Sequence, residues 1–233
     1  MKQDIFIHVG LPKTGTTFLQ INVFPKMDIN FLSHIPDMYG TLTNFILSGK
    51  LSKDKPTLIS DENLYGNIYG IQNYDTNFNI ASRIKILYPN AKIIVTFRNK
   101  DEWLQSLHKQ LRYNPYTSDS IHKNLDDFKT FKNLISKDFL DFEKYTFYLD
   151  TLFDDVLVLR YEDLKNEPDW FIRRICNFIN VPFPKYTNQY INKSLTERQT
   201  RFLKLVKYIP VGQHVGRALT VPVKAFFRNF YNR

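Results

Sequence analysis

Eight consecutive residues carry the first sign of chemistry: Gly10-Leu11-Pro12-Lys13-Thr14-Gly15-Thr16-Thr17. They follow the apolar run Ile5-Phe6-Ile7-His8-Val9 and lead into a helix pattern from Thr16 to about Val23, limited by Pro25. A strand, a tight loop and a helix start bring backbone N–H groups and the positive end of a helix to one point. Hydroxyls and one ammonium stand in the same loop. That set suits a phosphate or a sulfate. The plainer reading is a Gly/Pro turn between a strand and a helix. Such turns are common, but the run Lys13-Thr14-Gly15-Thr16-Thr17 at a helix start is not, and the anion site is the favoured reading.

The two glycines are spaced as in the nucleotide-binding pattern G-x-x-x-x-G-K-[ST]. Thr16, however, occupies the place of that pattern's lysine, and the loop's only lysine is Lys13. A nucleotide kinase would lack its contact to the β- and γ-phosphates here, so a kinase is the second reading. No His/Cys cluster has metal-ligand spacing, and no metal is expected.

Such a loop must be held by a sheet. Thr57-Leu58-Ile59-Ser60 reads as a second short strand, Ala91 to Phe97 as a β-branched buried strand, and Val156 to Leu159 as another. Between them, Ile80 to Tyr88 has helical spacing, with Ile80, Ile84, Leu87 and Tyr88 on one side. Asp101 to Arg112 is a helix, and Leu125 to about Phe153 holds two more. Pro168 to Ile179 is amphipathic and opens on a proline. A loop from Val181 to Tyr190 leads to a last helix near Leu195 to Tyr208. Apolar strands alternating with helices predict an α/β chain: a three-layer P-loop-like fold with a central parallel β-sheet flanked by helices. One domain over residues 1–210 is the economical reading, followed by a basic aromatic segment, 211–233.

The chain has 233 residues, 43% of them apolar and 15% aromatic, enough for a sizeable core. A lone Cys176 excludes an intramolecular disulfide and fits a reducing compartment. No apolar run reaches bilayer length and no signal peptide is apparent, so a cytoplasmic location is expected. The formal charge is +9, from 32 Lys and Arg against 23 Asp and Glu. Seven of the basic residues lie between Thr200 and Arg233, a stretch without acids; the rest of the chain carries 25 basic against 23 acidic residues, a net of +2. So uneven a distribution argues against nucleic acid as a partner. Two readings stand for the tail. It lies on an anionic membrane surface, giving peripheral contact at the inner membrane face, or it folds back over an apolar face of the domain.

Leu11-Pro12-Lys13-Thr14-Gly15-Thr16-Thr17 resembles the loop for the 5′-phosphosulfate in sulfotransferases that use 3′-phosphoadenosine 5′-phosphosulfate (PAPS). A second signature of that family is an arginine ending a central strand with a serine eight residues later. Here these are Arg98 and Ser106. The resemblance implies that the pair grips the 3′-phosphate, a role suited to a planar fork of donors and a hydroxyl. Val156 to Leu164, containing Arg160-Tyr161-Glu162-Asp163, resembles the family's late strand and turn. It implies that Tyr161 contacts the adenine; equally, Tyr161 packs in the core while Glu162 and Asp163 cap the next helix. Asn192-Lys193-Ser194 resembles the segment that closes over the nucleotide. The implied cofactor-binding set is Lys13, Thr14, Gly15, Thr16, Thr17, Arg98, Ser106, Tyr161 and Lys193, with PAPS as co-substrate and PAP (3′-phosphoadenosine 5′-phosphate) as product.

Sulfuryl transfer to an alcohol needs a base at the hydroxyl and positive charge at the phosphosulfate bridge. Lys13 is the choice for the charge. Candidates for the base are Glu62, Asp61, His8 and His108. Ser60-Asp61-Glu62 leaves its strand at the C-terminal end, where parallel sheets place their sites. The turn resembles the Ser-x-Glu turn of carbohydrate sulfotransferases, which favours Glu62 over its reading as a helix cap. It also favours a carbohydrate or glycolipid hydroxyl as acceptor over a small phenol. A non-enzymatic membrane or partner-binding module built on the tail is the third reading.

Overall fold

The apolar runs pair as parallel strands in the computed structural model of the chain, which describes residues 4–33, 54–66, 77–112, 125, 127–135 and 137–187. Among these, five strands form one sheet: β1 (Ile5–Gly10), β2 (Asn30–Ser33), β3 (Thr57–Asp61), β4 (Lys92–Phe97) and β5 (Val156–Arg160). Their order is β2-β3-β1-β4-β5, and every pairing is parallel. β1 is central, which explains its unbroken apolar character: all but its first residue are buried. The order reverses at β1, so the crevice beyond its C-terminal end is the natural place for a site.

Helices cover both faces. Strand residues alternate, so Phe6, Leu58, Ile94 and Leu159 share one face and pack with Leu19, Phe24, Phe171 and Ile175. Those partners come from two helical segments. One is α1 (Thr16–Phe18), continued by a π-helical stretch, Leu19–Val23, and a 3-10 turn, Phe24–Lys26. The other is the last described helix, Pro168–Ile179. On the opposite face Phe97 stacks on Phe142, with ring centroids 4.7 Å apart, and Tyr65 sets its ring edge-on to Phe97 and Tyr145. Helices α2 (Asn77–Leu87), α3 (Lys100–Arg112), α4 (Phe128–Leu134), α5 (Phe142–Leu152) and α6 (Tyr161–Asn166) precede that last helix, α7. The layers are helix, sheet and helix, as the strand and helix alternation predicts.

The described residues divide into two compact units, one within Met1–Trp103 and Leu134–Asn192, the other within Leu104–Asn133. The first holds the sheet. In the second, His108 donates its Nε2–H to the Leu125 carbonyl at 2.7 Å and packs against Phe128 and Phe131.

One local expectation needs correction, and two local features add to the sequence reading. β2 has only four half-buried residues at the sheet edge, too short and too mixed to stand out in the sequence. The first helical run ends at Val23, as Pro25 implies, and a separate 3-10 turn carries that proline at an early position, where no donor is required. In α2 the buried positions are Asn77, Ala81 and Ile84, while Leu87 is 71% exposed and Tyr88 36%. Ala81, not Leu87, fills the space against the neighbouring layer.

Candidate functional site

Gly10 to Thr17 leave the C-terminal end of β1 between the ends of β3 and β4. The loop folds on itself through its own side chains. Thr14 Oγ1 donates to the Leu11 carbonyl at 2.6 Å, and Thr16 Oγ1 reaches the same oxygen at 3.5 Å. Thr14 and Thr16 are therefore buried loop-builders, while Lys13 and Thr17 are partly exposed. Lys13 and Gly15 both take left-handed backbone, with φ 68° and 84°. Gly15 also lies against α6: a Cβ there would stand 2.4 Å from Leu164 Cδ2. Gly10 is equally tight, since a Cβ would meet Thr16 Oγ1 at 2.3 Å. Only glycine allows this close approach of strand, loop and helix.

On the β4 side stands Arg98. Its Nη1 donates to the Lys13 carbonyl at 3.3 Å, and its Nη2 pairs with Glu102 at 3.1 Å. The guanidinium lies over the Tyr161 ring, 4.6 Å from the centroid. Tyr161 packs, partly buried, against the core cluster and also forms the platform under Arg98. Arg98 Nε is buried and has no hydrogen-bond partner among the described residues. Glu162 does not cap α6; its Oε1 accepts from the Asn99 N–H at 2.9 Å and ties α6 to the end of β4.

On the β3 side, Asp61 is the helix cap. Its Oδ1 accepts from the Asn63 N–H at 2.7 Å and opens the 3-10 turn Glu62–Tyr65. Glu62 is the first residue of that turn, which removes the cap reading for Glu62. Burial lowers the Lys13 pKa below the ordinary lysine value, Glu62 counteracts this by raising it, and Arg98 lowers it further. One ammonium is therefore in electrostatic reach of a carboxylate from β3 and a guanidinium from β4.

His8 is a core residue. It is wholly buried, with Nδ1 2.8 Å from Ser60 Oγ and Nε2 3.4 Å from Thr96 Oγ1. Gln20, from the π-helical stretch, donates to both the Ser60 carbonyl and Ser60 Oγ. Burial pushes the His8 pKa down to about 4. In the unfolded chain a histidine titrates near 6.5. Between these values the unfolded chain binds a proton that the folded chain refuses, so stability is full above the unfolded value and falls as pH drops through the window. The full loss is about 3 kcal/mol. Urea unfolding from pH 7 to pH 4 should show wild type losing this advantage over His8→Gln; a difference constant with pH would refute the assignment.

Ser106 lies on α3, partly buried, in the second unit, where His108 is committed to the Leu125 carbonyl. Lys193, with Asn192 and Ser194, the expected helix near 195–208 and the tail at 211–233 lie outside the described residues. Trp103, Glu102 and Gln20 escaped the sequence reading. Each acts through a partner distant in sequence or on its own helix face, and none belongs to a motif. Among the described residues no group of three or more His, Cys, Asp or Glu is placed to hold a metal ion, and no helix is long and apolar enough to cross a membrane.

A profile of the sulfotransferase family matches residues 32–185, so the Gly10–Thr17 loop precedes the match. Among solved structures, a sulfotransferase from Alicyclobacillus acidocaldarius superposes with a TM-score of 0.55 at 15% identity, covering 100% of this chain and 97% of that chain. The shared feature is the fold, the one predicted from the strand and helix pattern. Mouse sulfotransferase SULT7A1 complexed with PAP gives a TM-score of 0.48 at 17% identity, covering 94% of this chain and 89% of that chain. No curated protein matches.

Proposed function

The chain belongs to the sulfotransferase family, and on that premise we propose that it moves a sulfuryl group from PAPS to an acceptor hydroxyl and releases PAP. The observation that carries the proposal is the convergence on Lys13: a loop at the end of β1, with Glu62 on one flank and Arg98 on the other. The residues present fit an anionic nucleotide. Arg98 keeps a buried Nε without a partner among the described residues, and Lys13 and Gly15 take the left-handed backbone that turns loop N–H groups toward an anion.

PAPS supplies, when bound, an activated sulfuryl group on a phosphosulfate bridge. Lys13 and the loop N–H groups, with Thr16 and Thr17, provide positive charge and donors for that end of the nucleotide. Arg98 and Ser106 take the 3′-phosphate, Arg98 turning from Glu102 to do so, and Tyr161 holds the guanidinium in plane. Lys193 completes the cofactor-binding set, a role supported by the resemblance of Asn192-Lys193-Ser194 to the family's segment. Glu62 accepts the proton of the attacking hydroxyl on its carboxylate. The acceptor is a carbohydrate or glycolipid, a reading supported by the Ser60-Asp61-Glu62 turn. Residues 1–210 form the transferase domain, 211–233 a basic aromatic segment, and the protein works on the cytoplasmic side, where a lone buried Cys176 stays reduced.

Calorimetry tests the co-substrate. PAP should bind at micromolar level, and Arg98→Ala should bind it at least about ten-fold more weakly, as expected for losing charged hydrogen bonds. No micromolar binding, or equal binding by Arg98→Ala, refutes the proposal; tighter binding of Mg-ATP than of PAP would restore the kinase reading. Transfer of labelled sulfate from PAPS across sugar, glycolipid, phenol and peptide-tyrosine acceptors then tests the acceptor class.

A further inference from the structure

The loop carrying Lys13 is held from behind by two donors. The indole Nε1–H of Trp103 gives a 2.8 Å hydrogen bond to the Pro12 carbonyl, and Arg98 Nη1 takes the next carbonyl, that of Lys13. Trp103 is wholly buried, and its ring stacks on Phe139. An indole has a single polar group, a donor. Its orientation is therefore fixed by packing on one side and by the Pro12 carbonyl at its tip.

In a planar trans peptide the carbonyl and the following N–H point to opposite sides. Holding the Pro12 carbonyl on Trp103 turns the Lys13 N–H away from the buried indole, toward the side from which an anion can approach. Lys13 itself sits at φ 68°, where a residue with a side chain is strained and stays only when its surroundings impose it. A left-handed residue in such a loop turns consecutive N–H groups into an anion-binding nest. Trp103 lies five residues beyond Arg98, on the first turn of α3, so one short segment braces two successive peptides of the loop.

We propose that Trp103 is a positioning residue of the anion site: its indole N–H sets the peptide plane between Pro12 and Lys13 and so aims the Lys13 N–H at the 5′-phosphosulfate. The inference rests on the PAPS reading above. It assigns Trp103 a part in nucleotide binding that its burial alone would not suggest, since a buried tryptophan is ordinarily a packing residue.

The chain has two tryptophans, and the other, Trp170, is 46% exposed on α7. In a Trp170→Phe background, Trp103 can be replaced by 3-benzothienylalanine, which keeps the bicyclic shape and puts sulfur in place of the N–H. Trp103→Phe is the companion variant. Calorimetry with PAP should show about ten-fold weaker binding in both, the scale of one hydrogen bond to a charged group. Affinity for 3′-AMP, which lacks the 5′-phosphate, should match that of the Trp170→Phe parent. Unchanged PAP affinity in the benzothienyl protein overturns the proposal. So does an equal loss toward 3′-AMP, which would mark a general packing effect. If Trp103→Phe does not fold, the analogue decides alone. A parent that binds no PAP removes the PAPS reading itself, and this inference with it.

Discussion

Lys13→Ala should lower kcat by about 10²- to 10³-fold, the loss typical of removing one preorganised stabiliser of developing charge. Binding of PAP should fall much less, because the loop amides and Arg98 remain. The backbone argument supports this split. Lys13 holds left-handed φ whatever its side chain, and alanine strains that position no more than lysine does. Lys13→Gly separates the two effects further: it relieves the backbone and still removes the charge, so its kcat should match that of Lys13→Ala. Rate measurements at saturating PAPS check this, and a Lys13→Ala enzyme that keeps more than half its kcat removes Lys13 from the chemistry. The pH profile offers an independent view. Burial lowers the Lys13 pKa, so the charged form is lost at a lower pH than for an ordinary lysine. Activity should therefore decline on the alkaline side before the usual lysine range is reached.

The parts of the site legible in the sequence were those carried by contiguous runs. The Gly10–Thr17 loop, Arg98 at the end of β4 and the Asp61-Glu62 turn each follow an apolar strand, and a strand of β-branched residues needs little tertiary information to be recognised. The partners of these residues were not legible. Glu102 and Trp103 are neighbours in the first turn of α3, among ordinary helix residues, and only the fold reveals that one pairs with Arg98 and the other with the Pro12 carbonyl. Tyr161 shows the same limit. Core packing and adenine contact were both open; the ring packs against the core and also lies beneath the Arg98 guanidinium, a contact no sequence signal announced. His8, offered as a candidate base, is a core residue, the ordinary outcome for a lone histidine within an apolar run. The edge strand β2 was not legible, since four half-buried residues leave no periodicity to read.

Glu62→Gln should lower kcat by about 10²- to 10⁴-fold, the range for losing a general base, with PAP affinity near that of wild type. The neighbouring acid provides the control. Asp61 has a structural task, since its side chain caps the turn that carries Glu62. Asparagine caps as well as aspartate does, so Asp61→Asn should keep both fold and rate, whereas Asp61→Ala should cost about 1 kcal/mol of stability. Glu62→Gln should also act on Lys13. Glu62 is the group that raises the Lys13 pKa against burial, and its neutralisation leaves burial and Arg98 unopposed. The Lys13 pKa then drops, and the alkaline limb of the residual activity should move to lower pH. Two signatures from one substitution make the assignment strict: a kcat loss without the alkaline shift would separate Glu62 from Lys13, and Asp61→Asn losing as much rate as Glu62→Gln would transfer the base to Asp61.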